Sequence, residues 1–234
     1  MRTYLAGTIA ALAALCLSIA ALAAAPPTRV RGTVTAINGS AVTVRGYDGA
    51  TTEVTVAPDT HYAWIVPSSL AEIKPGDFIG TAATGPDSAL VAQEVVIFPD
   101  AMRGAGEGHY PWSMPEAVAK ADAGGAEPAA GAPAAQGTMT NGTVAAAAPA
   151  VPGTMTNGTV TAAGAKSLMI TYDKGQKIGV TVPPNVPIVR FEPEQQSILK
   201  TGEKVFIVAV RPEGGEALTA RFVGVGKDGL MPPM

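Results

Sequence analysis

The sequence predicts an all-β protein of two small five-stranded OB-like Greek-key barrels, each with one short helix, joined by an Ala/Gly/Pro-rich linker. Three observations carry that expectation. The 234 residues include 27 Gly and 20 Pro, with 15% charged and 5% aromatic residues, a balance that favours short strands and turns over long helices. Short runs such as Val42-Thr43-Val44-Arg45 alternate apolar and polar residues with the period of a half-buried strand. The whole run of elements then occurs a second time.

The repeat is read from blocks in the same order. Gly32-Thr33-Val34-Thr35-Ala36 returns as Gly158-Thr159-Val160-Thr161-Ala162, Tyr47-Asp48 as Tyr172-Asp173, and Val54-Thr55-Val56 as Val180-Thr181-Val182. Pro67 to Lys74 matches Pro193 to Lys200, Gly76 matches Gly202, and Leu90 matches Leu218, at an offset that stays between 125 and 128.

The element order divides the chain. Residues 1–25 read as a signal peptide: Arg2, an Ala/Leu/Ile run, and Ala21-Leu22-Ala23 as the small-x-small cleavage pattern. A membrane anchor is the competing reading, and the Ala content and Pro26-Pro27 favour cleavage. Cys16, the only cysteine, would leave with this segment, so the mature chain has no disulfide and no thiol nucleophile.

Residues 28–100 form the first barrel unit. Val30, Val34 and Ile37 begin a strand, Asn38-Gly39 is a hairpin turn signal, and Ala41 to Arg45 is the returning strand. Asp48-Gly49 turns into a strand at Thr52 to Val56. Pro67 to Ile73 reads as a short capped helix, and Lys74-Pro75-Gly76-Asp77 as a type II turn. Strands at Phe78 to Ala83 and Leu90 to Phe98 close the unit. Three strands, a short helix and two strands is the OB order, although the same strands could stack as a sandwich.

Residues 101–116 hold a Gly/aromatic motif expected to pack on the first unit, and residues 117–152 read as a flexible linker. Inside the linker, Gly137-Thr-Met-Thr-Asn-Gly-Thr-Val144 is repeated verbatim at Gly153 to Val160. The second copy is expected to open the second barrel and the first to be an inert duplication, a register-shifted competitor for the same strand position being the alternative, with Met139 and Met155 exposed. Residues 153–227 form the second unit, with strands near Thr154–Ala162, Ser167–Tyr172, Gln176–Val182, Lys204–Val210 and Ala217–Val225; residues 228–234 are a tail.

Mild acidity, a formal charge of -3, argues against a nucleic-acid partner, because such binding is driven by clustered Lys and Arg. No segment after the signal is apolar enough to span a membrane as a helix, which predicts a periplasmic or secreted protein. No Ser-His-Asp set and no paired carboxylates suggest catalysis, and no cofactor is implied. The expected role is therefore non-enzymatic binding of an unidentified protein or small molecule. Arg103, Glu107, His109, Tyr110 and Trp112 are the candidate recognition residues, since glycines here permit close backbone approach and the rings supply burial area with polar tips. The alternative is a periplasmic metal-binding or metal-transport accessory protein. His109 with Met102 and Met114 would make a soft, copper-like N/S set, short of ligands because His61 is the only other histidine.

The repeated Gly-Thr-Val unit with its Lys74-Pro75-Gly76-Asp77 turn resembles the bacterial exported DUF5666 domain, an OB-like β-barrel. The whole arrangement looks like a proteobacterial subset with an Ala-Met-Arg-Gly-x-Gly-Glu-Gly-His-x-Pro-Trp stretch between two units, matched by Ala101 to Trp112, and a Gly-Lys-Asp-Gly tail, matched by Gly226 to Gly229. Members sometimes carry the label of a metal-transporter permease. The resemblance implies an exported barrel protein and brings no activity or catalytic residues.

Overall fold

Val30, Val34, Val42, Val44 and Val54 are all buried, at alternate positions of β1 (Thr28–Asn38), β2 (Ala41–Gly46) and β3 (Thr51–Pro67). Their polar neighbours face outward, as strands with one wet face require. In this computed structural model residues 27–115, 134–149, 166–212 and 215–233 are described. The expected signal segment at 1–25, residues 117–133 of the expected linker and the second copy at 153–160 lie outside them. The remaining strands are β4 (Phe78–Thr84), β5 (Leu90–Ile97), β6 (Gly108–Pro115), β7 (Ala134–Pro149), β8 (Lys166–Tyr172), β9 (Gln176–Val182), β10 (Ile188–Glu194), β11 (Lys204–Val210) and β12 (Leu218–Gly226).

The pairings close a five-strand barrel, but not from one unit. β1, β2 and β3 pair in sequence, β3 runs parallel to β12, β12 pairs β11, and β11 returns to β1. The two closing strands therefore come from the second repeat. A reciprocal circuit links β4 and β5 of the first repeat to β9 and β8 of the second and to β7, which lies within the expected linker. The strand partners are thus exchanged between repeats, an intramolecular form of domain swapping.

The pairings of the two circuits correspond to one another. β3 and β10 cross antiparallel with Ile65 opposite Phe191, residues that the repeat offset itself makes equivalent. β12 lies parallel to β3, and β5 parallel to both β9 and β10. One apolar cluster fills the first barrel (Val34, Val44, Val54, Ile207, Val223) and a second fills the other circuit (Ile79, Leu90, Leu168, Ile170, Val180). A third lies where they meet, built from Ile65, Val96, Trp112, Met139, Phe191, Phe206 and Phe222.

Several expectations are corrected. Pro67 to Ile73 is not a helix; Pro67 ends β3, and the following residues form turns with Glu72 N–H donating to Ser69 O and Ile73 N–H to Leu70 O. The only helical segments among the described residues are three-residue 3-10 turns. Within the expected linker, residues 134–149 form β7. The first copy of the duplicated octapeptide is therefore no inert insertion but a central strand, and Met139 is 3% exposed instead of solvent-facing. The Gly/aromatic motif does not pack on strands of its own repeat alone: β6 pairs along its whole length with β7.

Candidate functional site

The motif begins with a 3-10 turn at Asp100–Met102 and continues through Gly104 (φ 84°) and Gly106 (φ 60°), conformations that suit glycine. This places the chain in register with β7, Gly108 opposite Asn141 and Trp112 opposite Gly137. Alternation along β6 then sends Tyr110 and Trp112 to one face and His109 to the other.

Tyr110 and Trp112 line a cavity of about 210 Å³ where the two circuits meet, together with Arg29, Phe98, Met102, Met139, Asn141, Phe191, Phe206 and Phe222. Its walls are largely aromatic. Phe98 meets Phe191 edge-on at 5.3 Å between centroids, and Phe191 meets Phe222 at 4.9 Å, spacings at which ring quadrupoles add to area burial.

Two arginines of β1 approach this aromatic wall. The Arg29 guanidinium lies 3.9 Å from the centroid of Trp112, and that of Arg31 lies 5.5 Å from it, close enough for cation–π attraction. Burial lowers the Arg29 pKa, opposed by the Tyr110 phenol; burial raises that of Tyr110, opposed by Arg29. Among the described residues Arg29 forms no ion pair, its polar partner being the Tyr110 hydroxyl. Two further polar atoms of the lining are buried without a hydrogen-bond partner among the described residues, Trp112 Nε1 and Asn141 Oδ1. The lining residues thus bring a cation into an apolar frame, with one unpartnered donor and one unpartnered acceptor atom buried among them.

Glu94 on β5 is fully buried. Desolvation pushes its carboxyl up to about 7 although Arg31 draws it down, and burial lowers Arg31 to about 10 although Glu94 supports it. The two charges act on one another between β1 of the first barrel and β5 of the second circuit.

The other sequence candidates scatter. His109 Nδ1 sits 2.8 Å from Thr140 Oγ1 and its Nε2 3.4 Å from Asp87 Oδ1. Arg103 donates to Gly76 O and to Asp100 Oδ1, fixing the turn. Glu107 is exposed. Arg103 and His61 line a second, wider concavity of about 720 Å³, which shares Met102, Ala105 and Phe222 with the first. Met114 pairs with Ala135 through its backbone. Among the described residues no group of three His, Cys, Asp or Glu could hold a metal.

Sequence reasoning missed Arg29, Arg31, Glu94 and the phenylalanines. One signal was available: the chain has only five Phe, and four of them line this cavity. Compared with known proteins, the chain matches no family model, no curated protein and no solved structure.

Proposed function

We propose that this chain is an exported, non-enzymatic binding protein of two OB-like barrels with exchanged strands, and that its ligand is a small apolar anion held between them. The observation that carries the reading is the aromatic cavity of about 210 Å³ in which Arg29 has no carboxylate partner among the described residues. Such a volume exceeds the roughly 150 Å³ that admits benzene into an engineered core, leaving room for a ring or short chain with a carboxylate. A pocket mostly apolar, with few convergent polar groups, is the usual form of a small-molecule site. Tyr110 and Trp112 serve as recognition residues; His109, Arg103 and Glu107 hold or flank the turn.

The strand order of the first barrel, three meandering strands and then a parallel return, supports the OB-type assignment. The Gly-Thr-Val units and the Ala101 to Trp112 stretch support the DUF5666-type reading, and residues 1–25 support periplasmic export.

Titration calorimetry with benzoate and octanoate, against benzyl alcohol and octanol, tests the ligand class. The carboxylates are expected to bind about tenfold or more tighter than the alcohols, and Arg29→Gln to erase that preference. Equal affinity for acid and alcohol, or a preference unchanged in folded Arg29→Gln, overturns the proposal.

A further inference from the structure

The duplicated octapeptide leads beyond ligand binding. Every strand of the second repeat stands 125 to 128 residues after its counterpart except one. Thr33 of β1 pairs with Lys204, and in the reciprocal circuit Thr143 of β7 pairs with Phe78. Lys204 stands at the repeat position of Phe78, so Thr143 occupies the place of Thr33 at an offset of 110. The repeat itself points to Thr159, which lies 16 residues further on in the second copy of the same octapeptide.

The β7 position demands a particular sequence, and both copies supply it. A Cβ on Gly142 would meet the Thr171 carbonyl oxygen, as one on Gly32 would meet that of Arg45; the second copy keeps glycine there as Gly158. Met139 and Asn141 line the cavity, and Thr140 contacts His109; the second copy presents Met155, Asn157 and Thr156 at the same positions.

The neighbouring strand accepts the shift. Thr143 opposes Thr171 and Val144 opposes Ile170, and after a bulge Ala146 opposes Met169 and Ala148 opposes Ser167. Moved by 16 residues this ladder becomes Thr159 to Thr171, Val160 to Ile170, Ala162 to Met169 and Gly164 to Ser167. That reproduces β1 and β2 pair for pair, including the bulge after Val34 and the closing pair Asn38 with Ala41. The shift exchanges loop length between the two connections flanking β7, and loop entropy changes only slowly with length. It also asks Ala165 to take the place of Gly39 at φ 62°, which opposes it.

We infer that the site between β4 on one side and β6 and β8 on the other is a strand-accepting groove specific for Gly-Thr-Met-Thr-Asn-Gly-Thr-Val. Residues 153–160 of the same chain are its second occupant. The groove can therefore exchange one copy for the other without altering the cavity lining.

Proline at the central threonine of either copy tests this, because it removes a ladder hydrogen bond in a central strand. Thr140→Pro and Thr156→Pro are each expected to fold, with the double variant losing about 10 °C or more in melting temperature and each single losing less than half as much. Hydrogen peroxide footprinting read by mass spectrometry supplies the independent measure: Met139 oxidises slowly in the wild type, and in Thr140→Pro protection passes to Met155. The inference is overturned if Thr140→Pro alone is as damaged as the double variant or fails to fold, or if Met155 stays fast in it. It is equally overturned if protection of Met155 is lost on dilution with dissociation of a dimer, since the occupant then comes from another chain.

Discussion

The first barrel and the reciprocal circuit are built from the same repeat, yet they close differently. β3 and β12 close the first along eight residue pairs, from Leu218 with Val54 to Gly226 with Ile65. The second is closed in two shorter pieces, two pairs between β5 and β9, Leu90 with Val180 and Val91 with Thr181, and three between β5 and β10, from Ile188 with Val95 to Arg190 with Ile97. Among the described residues only the second circuit gains an added strand, β6, whose Trp112 enters the junction cluster. The hairpins differ as well: β1 and β2 are joined by Gly39 and Ser40, whereas β7 and β8 reach the same register across residues 150–165. The lesson is that a glycine at the close approach and a bulge beside it are sufficient to set register, with the tight turn dispensable.

The largest break in this comparison should come from Trp112→Ala. Truncating a tryptophan that is 5% exposed should cost about 3–5 kcal/mol in denaturant unfolding. Hydrogen exchange should show amides of β7, β8 and β9 losing protection before those of β1, β2 and β3, because β6 hydrogen-bonds to β7 of the second circuit and meets the first through side chains alone. Uniform loss across both would mean that the circuits unfold as one unit.

Gly32→Ala and Gly142→Ala sharpen the contrast between hairpins. Each adds a Cβ onto a partner carbonyl, a clash worth about 3 kcal/mol. Gly32 has no substitute and should show the full loss by denaturant titration. Gly142 has one in Gly158, so its variant should lose less than about 1 kcal/mol. Equal losses would show the two hairpins to be equally committed to their strands.

An effect absent in acid concerns Glu94, buried on β5. Its carboxyl is raised in the fold from 4.5 to about 7 by burial, so the folded state holds the proton more firmly than the unfolded one. The associated stability is fully present below pH 4.5 and is lost as pH rises through about 7. Glu94→Gln should flatten the melting temperature across that window, behaving at all pH values like the wild type in acid. A wild-type profile already flat from pH 4.5 to 7 would remove Glu94 as the source.

Much of the local structure was legible. Alternating valines marked β1 and β2, and Asn38-Gly39 marked their turn, because strand period and turn chemistry are properties of a few adjacent residues. The short helix at Pro67 to Ile73 was misread: serine, Leu70 and Ile73 gave a helical pattern, but the segment makes only turns as it carries the chain from one circuit to the other. Of the site, Tyr110 and Trp112 stood out by rarity. Arg29, Arg31 and Glu94 did not, since each sits in an ordinary alternating strand and becomes distinctive only when a strand from the other repeat packs against it.

By itself the sequence determined the recurring blocks and strands such as β1, β2, β8, β9 and β11, but not β6, β7 or β10. Only the tertiary structure decided which strands close which circuit and which copy of the octapeptide fills β7. The physical reason is that the repeats carry nearly equivalent edges and patterns, so local residues cannot distinguish a partner in their own repeat from one in the other. The choice rests on long-range packing around Ile65 and Phe191, and the cavity between the circuits exists only once that choice is made.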